Sequence, residues 1–367
     1  MIPINIPQIG EEEIKAVVKV LKSGIITHAL GAGPMVTKFE EAFAKFVKAK
    51  HAIAVNTGTS ALHLAIMGAG IKRGHEVVLP SFTFVATAEV IAMAGAKPVF
   101  VDINPETYNI SPSEIEKVIT KKTKAIMPVD LYGLPADMQP IREIAETHEL
   151  TIVEDAAQAH GASYKRKPPG AFADAACWSF YASKNMTTGE GGMITTNNDE
   201  LAENVRFMRS HGEKEKYRSL ILGHNYRMPE MQAAIGLIQL KKLPKFVAKR
   251  RENAKRLSAK LRKAEILQLP KEPKGYKHSW YLYTVRLKGA KGRRRDKIVE
   301  TLKQKGIGAE VYYVNPIHLM PYYRKFGKYR LKETEKAAKQ VFSIPVHPGV
   351  TTEQISFIGK SVLHAIE

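Results

Sequence analysis

Apolar and polar positions alternate along the first 240 residues in two rhythms. Short apolar runs at 51–55, 76–79, 98–102, 125–129 and 150–153 read as strands. Between them, 60–68, 84–94, 111–119 and 138–148 repeat apolar residues every three to four positions and read as helices. Two further helices precede the first strand. One opens on Glu11, Glu12 and Glu13, whose charges suit a helix's positive end; it carries Ile14, Val17, Val18 and Leu21 on one face and stops at Gly24. The other is lined by Val36, Phe39, Phe43, Phe46 and Val47. Ser111 and Pro112 supply a capping residue and a first-turn proline to the helix they open. Strand and helix alternating at this pitch predict an α/β fold, a mostly parallel sheet with helices on its faces.

Past Gly192 the rhythm changes. A strand at 193–196 and helices at 201–210 and 229–240 lead into a long basic helix at 246–265. Strands at 280–287 and 309–312 then mix with helices at 295–305, 333–341 and 353–364. The 367 residues suffice for about two domains. The expected division is a large domain over 1–245 and a smaller α/β domain over 246–367.

Composition narrows the function classes. A chain 44% hydrophobic and 25% charged is globular. One cysteine, Cys177, excludes an internal disulfide framework and a Cys-rich zinc site. No histidines stand at metal-ligand spacing, so no metal is expected. The opening Met1-Ile2-Pro3-Ile4-Asn5-Ile6-Pro7 has no basic stretch followed by an apolar run. No apolar stretch reaches the ~18 residues of a membrane span. The expectation is a cytoplasmic protein without a membrane partner. The net charge is +20, and it is uneven: between Lys241 and Glu310 stand 23 Lys and Arg against 6 Asp and Glu. Such a block attracts nucleic acid, anionic membranes or phosphorylated substrates, although a solvated basic face is its commoner meaning.

Ligands of open parallel sheets sit beyond the carboxyl ends of the strands, and three polar clusters fall there. Asn56-Thr57-Gly58-Thr59-Ser60 follows the first strand and opens a helix, which makes either an anion cradle or an ordinary N-cap. Glu154-Asp155 follows the strand at 150–153 and leads into small residues, an approach for something flat with an acid beside it. Lys184 stands in Ser183-Lys184-Asn185, just before Thr187-Thr188-Gly189-Glu190-Gly191-Gly192 and after an apolar strand. Desolvation there would free a nucleophilic amine. A phosphate cradle, an acid for a cationic ring nitrogen and a lysine for a Schiff base together describe a pyridoxal 5'-phosphate site.

These clusters, with Glu154-Asp155-Ala156-Ala157-Gln158-Ala159-His160-Gly161 and Ser179-Phe180…Ser183-Lys184-Asn185…Gly189-Glu190-Gly191-Gly192, resemble the DegT-type (DegT/DnrJ/StrS) sugar aminotransferases. The resemblance runs from Gly10 to near Pro348. It implies a fold-type I pyridoxal-phosphate transferase with a large and a small domain. It implies Lys184 as the Schiff-base lysine and proton carrier, Asp155 at the pyridinium nitrogen and Gln158 at the phenolic oxygen. Thr59, Ser60 and Ser179 would hold the phosphate, and Phe84 would stack on the ring. Asn225 would reach the phosphate of a neighbouring subunit, making a homodimer with shared active sites. Arg227 would hold the amino donor's carboxylate or sit in the dimer contact, and Tyr313 and His318 would face substrate or serve domain packing, while His160 is expected to be structural, bonded to backbone. The run His28-Ala29-Leu30-Gly31-Ala32-Gly33 departs from the family pattern near the sugar.

The implied reaction moves an amino group from L-glutamate or glutamine to a nucleotide-linked keto sugar in two half-reactions. Some relatives replace the lysine with histidine and deoxygenate sugars; Lys184 argues for transamination. A keto-cyclitol acceptor is one alternative. A basic regulatory protein that binds nucleic acid is another, although the chain carries no recognition-helix or RNA-binding aromatic motif.

Overall fold

The computed structural model describes residues 1–215 and 217–367. Its central sheet is built from β1 (His51–Val55), β2 (Glu76–Pro80), β3 (Lys97–Val101), β4 (Thr123–Ile126) and β5 (Thr151–Asp155). The short β6 (Ser163–Tyr164) lies outside it, and β7 (Ala175–Ser179) and β8 (Gly192–Thr196) complete it. The strand order is β1-β8-β7-β5-β4-β2-β3. β8 runs antiparallel to both its neighbours and all other pairs are parallel. β1, β2, β4, β5 and β7 therefore point the same way, and their carboxyl ends share one edge.

Helices cover both faces. They are α1 (Glu11–Ser23), α2 (Pro34–Val47), α3 (Gly58–Gly68), α4 (Ala86–Met93), α5 (Pro112–Ile115), α6 (Met138–Thr147), α7 (Asp199–Arg209), α8 (Glu230–Leu261), α9 (Gly292–Gln304), α10 (Lys332–Gln340) and α11 (Thr352–Ile366). Every residue of β7 is buried, because the period-two alternation of a strand sends Cys177 into the core beneath α3 and Trp178 into the core beneath α2. In that second core Phe43 packs edge-on against Trp178 and Phe180, with ring centroids 5.2 and 5.5 Å apart.

A separate core joins a three-stranded antiparallel sheet (267–268, 283–287 and 341–344) to the distal half of α8, to α9 and to α11. The chain's opening residues cross to it: Ile2 pairs with Ile307 and is buried there.

Four local expectations are corrected. The helices expected at 229–240 and 246–265 are one 32-residue helix, α8, which passes through Pro244 and through the expected domain division. Its flanks are held by α1, α2 and α11, so packing outweighs the one backbone bond that proline removes. The strand expected at 309–312 is a single bridge, Glu310 to Ser343. Ser111 precedes α5, but its hydroxyl pairs with Ser113 and makes no cap bond. The apolar face of α1 faces outward: Ile14, Val18 and Leu21 are exposed, while Glu13 is buried against Lys242 at 2.9 Å.

Candidate active site

The sheet edge gathers the segments that follow β1, β2, β5 and β7. After β1, Thr57 caps α3: its hydroxyl accepts from the Ser60 N–H at 3.0 Å. The Ser60 hydroxyl is directed to Asn56 Oδ1 at 2.7 Å. Thr59 is half-buried and makes no such bond among the described residues. Gly58 lies against Ser179, where a Cβ would come within 2.7 Å of the serine Cβ. That close approach requires glycine. It sets the Ser179 hydroxyl beside the first turn of α3, where free N–H groups and the helix dipole favour an anion. Thr57 thus supplies the cap, and the Ser179 hydroxyl lies beside the helix start that it caps.

After β5, Asp155 is buried at the edge. Its Oδ2 accepts from Thr87 Oγ1 at 2.9 Å and its Oδ1 from the Ala157 N–H at 3.1 Å. It has no ion-pair partner among the described residues. Burial pushes its carboxyl up from the ordinary range, and the bonds from Thr87 and Ala157, with the nearby Lys184 charge, pull it partly back. Three residues on, Gln158 accepts from the Tyr132 N–H at 2.7 Å and offers Nε2 to the Tyr313 hydroxyl at 3.3 Å. After β2, Phe84 is 55% exposed, unusual for so large an apolar ring. Its only ring neighbour among the described residues is Tyr313, with centroids 6.3 Å apart. One face is thus free for a flat partner.

After β7, Lys184 sits in a turn closed by its own N–H to the Tyr181 carbonyl at 2.9 Å. Its Nζ lies 4.7 Å from the Tyr281 ring centroid and has no carboxylate partner among the described residues. The site therefore offers an unpaired amine, a buried acid without a cation, an exposed aromatic face and an anion cradle. A phosphorylated, flat, cationic-nitrogen cofactor bearing an aldehyde fits all four.

The remaining expected residues are not all at this edge. Asn225 is exposed on the loop before α8, and its neighbour Tyr226 returns to Asn56 through a backbone bond of 2.9 Å. Arg227 donates to Ser210 Oγ at 3.0 Å, and that hydroxyl donates to the Ala29 carbonyl at 2.6 Å. Arg227 is thus tied to the departing 28–33 segment. Gly31 and Gly33 in that segment are pressed by Arg209 and Glu230, with no room for a Cβ. His318 is buried: Nδ1 lies 2.7 Å from Ser81 Oγ, and Nε2 3.6 Å from Glu335. It meets the site through Ser81 and not through an open face. The His160 ring packs against Trp178 and Phe180, and neither of its nitrogens has a partner among the described residues. Burial and the Lys184 charge push it down to about 3, so it is neutral, and the backbone bond expected for the ring is not made.

Part of the basic block does structural work. Arg250, Arg286 and Arg295 are buried and bond backbone or amide oxygens; Arg251 pairs with Glu272. Two neighbours of the expected residues were not singled out from the sequence: Thr87, which bonds Asp155, and Tyr281, whose ring faces Lys184. Thr87 carried a signal, lying three residues after Phe84. Tyr281 comes from a distant part of the chain with no motif around it.

Residues 7–363 match the DegT/DnrJ/EryC1/StrS aminotransferase family, and the chain belongs to it. The family's members are pyridoxal-phosphate-dependent sugar aminotransferases, and this chain is an enzyme of that class. It is 42% identical to a "Pleiotropic regulatory protein" of Geobacillus stearothermophilus over 98% of both chains. It is 42% identical to the GDP-perosamine synthase of Caulobacter vibrioides over 88% of both. Among solved structures, DesV of S. venezuelae superposes with a TM-score of 0.93 at 36% identity, covering 100% of this chain and 99% of that one. The chain has the α/β fold of the fold-type I pyridoxal-phosphate class.

Proposed function

We propose that the chain transfers an amino group from L-glutamate or glutamine to a nucleotide-linked keto sugar, using pyridoxal 5'-phosphate. The observation that carries this reading is the placing of two opposite charges at one sheet edge, neither held in an ion pair: Asp155, whose carboxyl feels the nearby Lys184 charge, and Lys184, whose Nζ faces only the Tyr281 ring. Bound there, the cofactor supplies an electron sink for the bond broken at the amino-bearing carbon. Asp155 would hold the ring nitrogen protonated. Gln158 would bond the ring oxygen through Nε2, its Oε1 being fixed by Tyr132. Phe84 would cover one ring face. Thr59, Ser179 and the first N–H groups of α3 would hold the phosphate, with Ser60 keeping its hydroxyl on Asn56 until a phosphate oxygen competes for it. Lys184 would hold the cofactor covalently and then carry the substrate proton at Nζ.

On the substrate side, Tyr313 borders both Gln158 and Phe84 and would line the acceptor pocket. Arg227, tied to the 28–33 segment, would meet a carboxylate or phosphate. His318 would position Ser81 and act on substrate only through it. In this reading residues 1–245 form the cofactor-binding domain and 246–367 the small domain, with α8 shared. The exposed face of α1, together with Ile25, Ile26, Leu220, Ile221 and Leu222, supports a homodimer in which Asn225 reaches across. No helix among the described residues is long and apolar enough to cross a membrane. A cytoplasmic setting suits the free, buried Cys177 thiol.

The test is product analysis. The protein, cofactor and L-glutamate are incubated with 4-keto and 3-keto nucleotide sugars and with a keto-cyclitol, and amines are read by mass spectrometry. Amination of a nucleotide sugar supports the reading. Amination of the cyclitol alone moves it to that acceptor.

A further inference from the structure

We propose that Asn5 and Arg250 form a clamp with Tyr281 that positions Lys184. The inference rests on the reading of Lys184 as the covalent lysine. Arg250 lies in the distal half of α8, is 2% exposed and has no carboxylate partner among the described residues. A buried guanidinium without an acid is costly unless its donors are used. Here both terminal nitrogens are used, Nε alone lacking a partner among the described residues: Nη1 donates to the carbonyls of Trp280 at 3.3 Å and Tyr281 at 3.1 Å, and Nη2 donates to Asn5 Oδ1 at 2.9 Å. Burial lowers the guanidinium to about 10, so it stays charged at neutral pH.

This one group sets both supports of the lysine turn. With Oδ1 taken by Arg250, the Asn5 amide has only one orientation, and Nδ2 donates to the Ser183 carbonyl. That carbonyl belongs to the peptide plane leading into Lys184. On the other side, the Tyr281 hydroxyl bonds Ser183 Oγ at 2.9 Å, and its ring faces Lys184 Nζ. The Tyr281 backbone is the one Arg250 holds. Asn185 Nδ2 donates to the Ser279 carbonyl at 3.1 Å and completes the anchorage. The N-terminal arm, α8 and the segment before the 283–287 strand thus converge on the residue before the lysine. A lysine has a flexible four-carbon stem, so fixing its base and offering an aromatic face to its ammonium confines where Nζ can reach.

The clamp is tested by separating covalent from non-covalent binding. Pyridoxal phosphate capture at Lys184 is measured by borohydride trapping and peptide mapping. Affinity for pyridoxamine phosphate, which binds without the lysine bond, is measured by calorimetry. In Asn5→Ala and Arg250→Lys, capture falls by about tenfold while pyridoxamine phosphate affinity stays within about twofold of wild type. Capture unchanged, or both quantities falling together, overturns the clamp. If Arg250→Lys does not fold, Asn5→Ala decides, since it removes only the arm's amide. A wild-type protein that traps no cofactor at Lys184 overturns the lysine assignment itself. A wild-type adduct with unaffected variants overturns the clamp alone.

Discussion

Thr87 Oγ1 donates to Asp155 Oδ2 at 2.9 Å, while the Ala157 N–H occupies Oδ1. The threonine sits on the first turn of α4 and the acid at the end of β5, so two elements aim one carboxylate. Asp155→Ala is expected to bind cofactor and lose about 100-fold or more in kcat, because the ring nitrogen loses its counter-charge. Thr87→Val removes one hydrogen bond, worth about 1 kcal/mol, and is expected to lower kcat by about fivefold. Steady-state assays of both variants check the order; equal losses would contradict it.

The tight contact between Gly58 and Ser179 makes a second prediction. A Cβ at position 58 meets the Ser179 side chain and forces α3 away from β7. Gly58→Ala is expected to weaken pyridoxal phosphate and inorganic phosphate binding alike, by about tenfold, through loss of the cradle. Equilibrium dialysis with both ligands measures this. An unchanged phosphate affinity would place the anion elsewhere.

The outward apolar face of α1 predicts a partner copy. Charging its centre with Val18→Asp and Leu21→Asp is expected to convert a dimer to monomer and to lower activity in parallel. Sedimentation velocity across protein concentrations reads the first effect. A wild-type monomer at micromolar concentration would remove Asn225 from the site.

Behind Asp155, the neighbouring Glu154 and Asp130 are both fully buried and face one another without a cation. Burial raises both carboxyls; the Glu154 charge raises Asp130 further, while Glu154, pushed up to about 7, is also raised by the Asp155 charge and partly lowered by its bonds to the Gly170 N–H and Asp130. The folded-state values lie above the unfolded ones, so the folded protein holds this proton more tightly. The stability it contributes is complete below the ordinary carboxyl range and is lost as pH rises through the interval up to about 7. Glu154→Gln keeps a donor toward Asp130 and removes the titration of Glu154 itself. Urea unfolding at a series of pH values is expected to show a shallower decline in this variant than in wild type.

Much of this arrangement was legible in the chain. β1, β5 and β7 each end in a polar cluster contiguous with their apolar run, so strand, edge and chemistry appear together in sequence. Asp155 and Lys184 could be picked out for that reason. Continuity of α8 was not legible, because Pro244 carries the local signature of a break, and only α1, α2 and α11 packed around it say otherwise. Tyr313 and His318 are five residues apart in one segment, yet one borders Gln158 and the other is closed off by Ser81. Spacing does not report which way a loop residue faces. Arg250 and Asn5 are 245 residues apart, and no local pattern announces a contact at that separation. The outward face of α1 was legible as apolar but not as unburied, since periodicity marks a face and not what covers it.

The central claim is an amine on Lys184 that takes a cofactor aldehyde and then hands it to an amino acid. The most direct measurement is the near-ultraviolet and visible absorption spectrum of the protein with pyridoxal phosphate, before and after L-glutamate, beside Lys184→Ala. The account predicts a lysine-bound band in wild type that bleaches into a pyridoxamine-type band with the amino acid, and no such band in the folded variant. An identical band in Lys184→Ala, or a folded wild type without one, would contradict it.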